Sequence, residues 1–146
     1  MENVYESERL RDEYLLFHYG APDQIHGWAG GPAGAFDFPS RIVQRFTPGL
    51  VERALDLGCA VGRSAFEMSR NADEVVAIDY SHSFVEAGRK MREEGECQVS
   101  RLTEGNLTEV ASVVVPHNVR PKVISFEQGD ASVSYTHLRA HETSEN

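Results

Sequence analysis

Apolar positions along this chain follow two rhythms. Between Glu6 and Tyr19, Leu10, Tyr14 and Phe17 recur at helical intervals, which predicts a helix with those three on its inner face. Gly20 and Pro22 close it. Residues 20–38 are crowded with glycine, proline and aromatics and read as a loop, with Trp28 and Phe36 placed to cover a site or anchor the loop. Pro39 opens a short helix to about Phe46, stopped by Pro48 and Gly49. The rhythm then changes. Arg53–Leu57 and Glu74–Ile78 are short apolar runs of the kind that form buried parallel strands, and a helical stretch from Arg63 to about Asn71 separates them. Ser81 caps a further helix that turns Phe84, Val85, Gly88 and Met91 inward and ends near Gly95. Val99–Leu102 reads as a short strand and Leu107–Val115 as either helix or strand, with Pro116 and Pro121 bounding the segment. Val123–Ala131 predicts a third strand ending in Gly129 and Asp130. Strands alternating with helices predict an α/β fold with a parallel sheet.

The chemistry concentrates where the first strand ends. Asp56, Gly58 and Gly62 punctuate the run Arg53-Ala-Leu-Asp-Leu-Gly-Cys-Ala-Val-Gly-Arg-Ser64, a strand, a tight turn and a helix start. Glycines there let a ligand approach bare backbone. The second strand also ends in an acid, Asp79. Two such strands side by side form a nucleoside-binding half of a doubly wound fold. A dinucleotide is disfavoured: counting from Gly58, Ala60 and Arg63 stand where its fingerprint needs glycines, and Asp56 would repel a pyrophosphate. An acid suits a ligand with an ammonium group and no phosphate, and S-adenosylmethionine is such a ligand.

This acid-x-Gly-x-x-x-Gly turn resembles the first motif of class I methyltransferases, with Ala60 in place of a further glycine. The resemblance implies a Rossmann-like class I methyltransferase fold with S-adenosylmethionine as cofactor. It assigns cofactor contacts to Asp56, Gly58, Cys59, Ala60, Gly62, Arg63, Asp79, Tyr80, Asp130 and Ala131. In that reading Asp79 accepts from both ribose hydroxyls and Asp130 from the exocyclic amine of adenine. Arg63 is placed either to pair with the cofactor carboxylate or to be solvated. Cys59 reads as structural.

Four segments narrow the resemblance: Tyr5-Glu-Ser-Glu-Arg-Leu10, Glu13-Tyr-Leu-Leu-Phe-His-Tyr-Gly-Ala-Pro22, the Cys59-Ala-Val61 of the turn, and Phe126-Glu-Gln-Gly-Asp-Ala131. Together they are similar to the methyltransferase domain of ovothiol biosynthesis, which methylates an imidazole nitrogen of 4-mercaptohistidine. The resemblance implies a small histidine-derived substrate, with Tyr14, Phe17, His18 and Tyr19 on a helical lid as candidate substrate contacts. For Tyr14 and Phe17, plain packing of the helix is the stronger reading. Catalytic residues are not assigned. An iron-dependent sulfoxide-forming domain often precedes this one in the family.

The resemblance divides the chain into a helical lid segment (1–52), the first half of the cofactor-binding domain (53–131) and a tail (132–146). The family continues through four more strands after Ala131, with strand order three, two, one, then four, five, seven and six. The expectation is therefore a fold that stops after its third strand and leaves the first as an edge. Residues 132–146 resemble translated sequencing-adapter DNA and are expected to be non-native or disordered; a genuine polar tail is the alternative. His137 and His141 in that tail have helical metal-pair spacing but no third ligand, so no metal is expected.

At 146 residues with 40% hydrophobic and 25% charged positions, the chain is one domain of globular type. A net charge of −9 disfavours nucleic acid and anionic membranes as partners. No apolar run approaches membrane length. Cys59 and Cys97 form no motif, and with no signal-peptide pattern at Met1 a reducing, cytoplasmic setting is expected. Two alternatives stand beside the enzyme: a generic small-molecule methyltransferase, and a non-catalytic nucleoside-binding module completed by a partner.

Overall fold

The computed structural model describes residues 4–22, 24–25, 36–46 and 49–132. Trp28 and the tail from residue 133, with His137 and His141, lie outside them. A 3-10 turn at Val4–Glu6 leads into α1 (Glu8–Tyr19), followed by α2 (Phe38–Phe46), β1 (Val51–Leu57), α3 (Arg63–Met68) and β2 (Ala72–Asp79). Then come α4 (His82–Glu94), β3 (Glu96–Leu102), β4 (Thr108–Val114), a 3-10 turn at Pro121–Val123, and β5 (Ile124–Gln128).

β1, β2 and β5 form a parallel sheet in the order β1-β2-β5, with Asp56 opposite Ala77, and Asp79 opposite Gln128. The two acids therefore stand at neighbouring carboxyl ends. Among the described residues β1 is an edge, and Leu50, Val51 and Leu57 beside that edge are exposed. The core under the sheet is built from Val75, Ala77, Val85, Met91, Ile124 and Phe126. α4 carries the inward face read from the sequence, with Phe84, Val85, Gly88 and Met91 buried. Ser81 caps it through a bond from the Phe84 amide, and Gly95 ends it at φ +77°.

The ambiguous stretch resolves as an antiparallel hairpin, β3–β4, separate from the main sheet. Its inner face buries Cys97, Val99 and Val113 toward α1 and α4. α3 stops at Met68, short of the expected Asn71. Ser69 explains this: its hydroxyl back-bonds to the Phe66 carbonyl at 2.6 Å and accepts the Arg120 amide at 2.9 Å, which diverts the chain from helical bonding.

The buried face of α1 differs from the one read from the sequence. Asp12, Leu15 and Tyr19 are inside, whereas Phe17 is exposed and Leu10 and Tyr14 are only partly covered. The helix is apolar on two sides, so its periodicity alone could not choose between them. The choice falls to the hairpin, where Asp12 accepts the Ser100 amide at 2.8 Å while pairing with Arg11 at 2.9 Å.

Candidate functional site

The loop from Gly58 to Gly62 is tied down at both ends. The amides of Gly58 and Cys59 both donate to the Ile78 carbonyl, at 2.8 and 3.0 Å, which carries the β1–β2 pairing into the turn. Gly62 donates to the Cys59 carbonyl at 2.8 Å and closes it. Beneath the loop, the Tyr19 hydroxyl donates to the Val61 carbonyl at 2.8 Å. Asp79 holds the side facing the sheet ends. One of its oxygens accepts the Ala60 amide at 2.8 Å and the other accepts the Ser81 amide at 2.9 Å. A carboxylate offers about four acceptor positions, so about two remain for a ligand with paired hydroxyls.

Three residues of this loop have left-handed backbone: Gly58 (φ +74°), Ala60 (φ +47°) and Gly62 (φ +92°). Alanine in that region is strained by roughly 1–2 kcal/mol, while glycine costs back roughly 0.4–1 kcal/mol in unfolded-chain entropy. Ala60→Gly is therefore expected to stabilise the chain by roughly 0.5–1 kcal/mol, read as a higher urea midpoint at unchanged slope. An unchanged or lower midpoint would show that the Ala60 methyl packs productively.

The two glycines flanking Ala60 serve different ends. A side chain at Gly62 would strike the Phe126 ring at 2.6 Å. At Gly58 nothing lies within 4 Å, so the loop presents open space above its first glycine. Beside it, Asp56 is 8% exposed. Bonds from Ser64 and the Ala65 backbone steady its carboxylate, yet Oδ2 is buried with no hydrogen-bond partner. Burial first, and repulsion from Asp79, push this carboxyl above the usual range. A buried acid with one orphaned oxygen next to bare backbone fits a ligand that brings an ammonium group. The donor set is compatible with a ligand that brings an ammonium group and a pair of hydroxyls, such as S-adenosylmethionine.

The other expected site residues are placed variously. Cys59 is buried, and burial with the charges of Asp56 and Asp79 pushes its thiol far up, which makes it packing rather than nucleophile. Arg63 pairs with the buried Glu67 at 3.1 Å, donates to the His18 carbonyl at 2.8 Å and lies over the Tyr19 ring; here its guanidinium joins α1 to α3. Tyr80 is exposed, with its carbonyl accepting from Gln128. Asp130 and Ala131 are exposed beyond β5, and Asp130 accepts from the Ser132 amide and hydroxyl, which lower its carboxyl pKa. Tyr14, Phe17 and His18 line a cleft on the outer side of α1, and Phe36 lines it with them. Tyr19, expected among the substrate contacts, points the other way. It is buried against Phe66 under the loop, where its hydroxyl bonds the Val61 carbonyl.

Sequence reasoning missed Glu6, Glu67 and Asp12. Glu6 accepts the amides of His82 and Ser83 at 2.9 and 3.0 Å, fastening the N-terminal turn to the start of α4 beside Asp79. A helix start attracts an acid, but nothing local marks one that lies so far away in the chain.

Residues 55–115 match the family described as a methyltransferase domain. Comparison with curated protein sequences gives no match. Among solved structures, the chain is similar to the YcgJ protein of Bacillus subtilis (20% identity, TM-score 0.42, covering 64% of this chain and 30% of that one). It is similar also to phosphoethanolamine N-methyltransferase 1 of Haemonchus contortus, solved with phosphoethanolamine and S-adenosylhomocysteine (16% identity, TM-score 0.43, 87% and 23%). A third is the DszA carbon methyltransferase (15% identity, TM-score 0.42, 86% and 30%). The chain spans less than a third of the length of each of these structures. The parallel sheet, the loop geometry and the family match define a Rossmann-like class I methyltransferase fold. The matched segment is similar to a methyltransferase domain. No helix among the described residues is long and apolar enough to cross a membrane.

Proposed function

We propose that this chain carries the cofactor-holding part of an S-adenosylmethionine-dependent N-methyltransferase whose acceptor is an imidazole nitrogen of 4-mercaptohistidine. In this reading residues 1–52 form the lid segment, residues 53–131 hold the cofactor, and the setting is cytoplasmic. The observation that carries the cofactor half is the carboxylate of Asp79, locked to the Ala60 and Ser81 amides beside the orphaned oxygen of Asp56. The acceptor rests on the resemblance of the Glu13–Pro22 segment and the Cys59-Ala-Val61 turn to the ovothiol family.

When bound at Asp56, Asp79 and the loop backbone, S-adenosylmethionine would supply an electrophilic sulfonium methyl for the acceptor nitrogen, whose ring proton would pass to water. Neutral imidazole is nucleophilic enough to need orientation rather than a strong base. Asp56, Asp79 and the loop backbone position one reactant, and α1 positions the other.

Isothermal titration with S-adenosylhomocysteine tests the cofactor half, and transfer of labelled methyl to 4-mercaptohistidine against histidine tests the acceptor. Saturable one-to-one binding with transfer to 4-mercaptohistidine is expected. Binding with transfer only to other acceptors would leave a generic small-molecule methyltransferase. The exposed β1 edge favours a second reading, a module completed by a partner. Binding that appears only in a larger species seen by light scattering would support it.

A further inference from the structure

Amides at a helix start have no partner within the helix. At the start of α4 four consecutive amides nevertheless have side-chain acceptors. Asp79 takes that of Ser81 at 2.9 Å. Glu6 takes those of His82 and Ser83 at 2.9 and 3.0 Å, one on each carboxylate oxygen. The Ser81 hydroxyl takes that of Phe84 at 3.2 Å. Local capping of this kind is common. Two of these four bonds, however, come from Glu6, which lies 76 and 77 positions away in the chain.

The turn that carries Glu6 buries none of its own residues. Filling the core is therefore not its role. Polar bonds and one ring contact fix it to α4. The Ser81 hydroxyl donates to the Tyr5 carbonyl at 2.9 Å, and the Tyr5 ring meets the buried Phe84 edge-on at 6.3 Å between centroids. Ser7 joins the turn to α1, donating to the Val4 carbonyl at 2.9 Å while it caps the helix. Ser81 thus stands between two acids: its amide is on Asp79, and its hydroxyl is on the turn that carries Glu6. Asp79 has two fixed bonds, to the amides of Ala60 and Ser81. The second is only as firm as the start of α4, and Glu6 clamps that start.

We propose that Glu6 is a positioning residue for Asp79. By holding the His82 and Ser83 amides it fixes Ser81, and through Ser81 the direction in which the Asp79 carboxylate offers its remaining acceptor positions to paired hydroxyls. The inference rests on the reading of Asp79 as the acid that holds the ribose. Turn and ligand then support each other. A ligand on Asp79 steadies the start of α4, a steadied start holds the turn, and each tightens the other by the same factor.

The test compares S-adenosylhomocysteine with its 2′,3′-dideoxy analogue, which lacks both ribose hydroxyls, on the full chain and on Glu6→Ala. Because the turn buries nothing, Glu6→Ala is expected to fold. The unsubstituted chain should prefer the hydroxylated ligand by roughly tenfold. In Glu6→Ala, affinity for S-adenosylhomocysteine should fall roughly three- to tenfold, while that for the dideoxy analogue changes less than about twofold. Glu6→Gln, which keeps one acceptor oxygen, should fall between. Amide exchange gives a second readout: S-adenosylhomocysteine should slow exchange at His82 and Ser83 in the unsubstituted chain and much less in Glu6→Ala. A general loosening of the fold would weaken both ligands together. Equal losses for the two ligands, or an undiminished preference in Glu6→Ala, would overturn the proposal. If the unsubstituted chain binds both ligands equally, Asp79 does not hold the hydroxyls and the proposal falls by itself. If it binds neither, the methyltransferase reading fails and the role of Glu6 fails with it.

Discussion

Gly62→Ala is expected to destabilise the chain by roughly 3 kcal/mol, the largest loss foreseen for a single added methyl. Two costs add. Gly62 sits at φ +92°, where a side chain costs about 1–2 kcal/mol. The new methyl would also meet Phe126 ring carbons at 2.6 and 2.7 Å, and overpacking of that kind costs roughly 1–3 kcal/mol. The ring has nowhere to retreat, since a methyl at Gly88 on α4 would meet the same ring at 2.6 Å. Phe126 is clamped between two glycines, and this packs β5 and α4 against the start of α3. Urea denaturation of Gly62→Ala, Phe126→Leu and the double variant checks the account. The two changes should be strongly non-additive, with the smaller leucine relieving part of the alanine's cost. Simple additivity would mean that the backbone conformation alone carries the effect.

Asp56→Asn is expected to weaken S-adenosylhomocysteine binding by roughly ten- to a hundredfold, while raising the stability of the free chain by about 1 kcal/mol at neutral pH. The affinity loss follows from removing a charge-assisted bond to the ligand's ammonium group, worth roughly 1.5–3 kcal/mol. The stability gain follows from removing a buried carboxylate whose Oδ2 is unsatisfied and which faces Asp79. The pH dependence separates the two effects. Burial raises the folded-state pKa of Asp56 above its unfolded value of about 3.9, so the folded chain holds its proton longer. Asp56 therefore erodes stability as pH rises from the unfolded value through the folded one, and the erosion is constant above it. Ligand affinity runs the opposite way. An ammonium group favours the ionised acid, so binding releases a proton below the folded pKa and tightens with rising pH until that pKa is passed. Asp56→Asn should flatten both profiles. Calorimetry in buffers of different ionisation heat measures the released proton, and a wild-type affinity that does not change with pH would remove Asp56 from the ligand site.

The strand-turn-helix signature was legible because it is local. An apolar run ending in Asp56, glycines at Gly58 and Gly62, and a second acid at Asp79 specify a parallel pair with a ligand-ready loop, and the structure has that pair. α4 was legible for the same reason, with Ser81, Gly95 and a single apolar stripe agreeing. The hairpin was not, because Leu107–Val115 satisfies neither period alone and takes its form only by pairing with β3. Nor was the orientation of α1, since Leu10, Tyr14 and Phe17 on one side compete with Leu15 and Tyr19 on the other.

By itself the sequence determined the class of fold, the tight glycine turn after the first strand and the two acids at the strand ends, because each depends on neighbours a few residues apart. Tertiary structure decided what surrounds them. It turned Tyr19 and Arg63 from ligand candidates into braces, left Asp56 with an orphaned oxygen, and set Phe126 between Gly62 and Gly88. It also opened the second face of α1 into a cleft. The Tyr19–Val61, His18–Arg63 and Gly62–Phe126 contacts join residues more than forty positions apart. Whether a polar atom is satisfied, or a glycine is crowded, depends on what the chain brings to it from that distance.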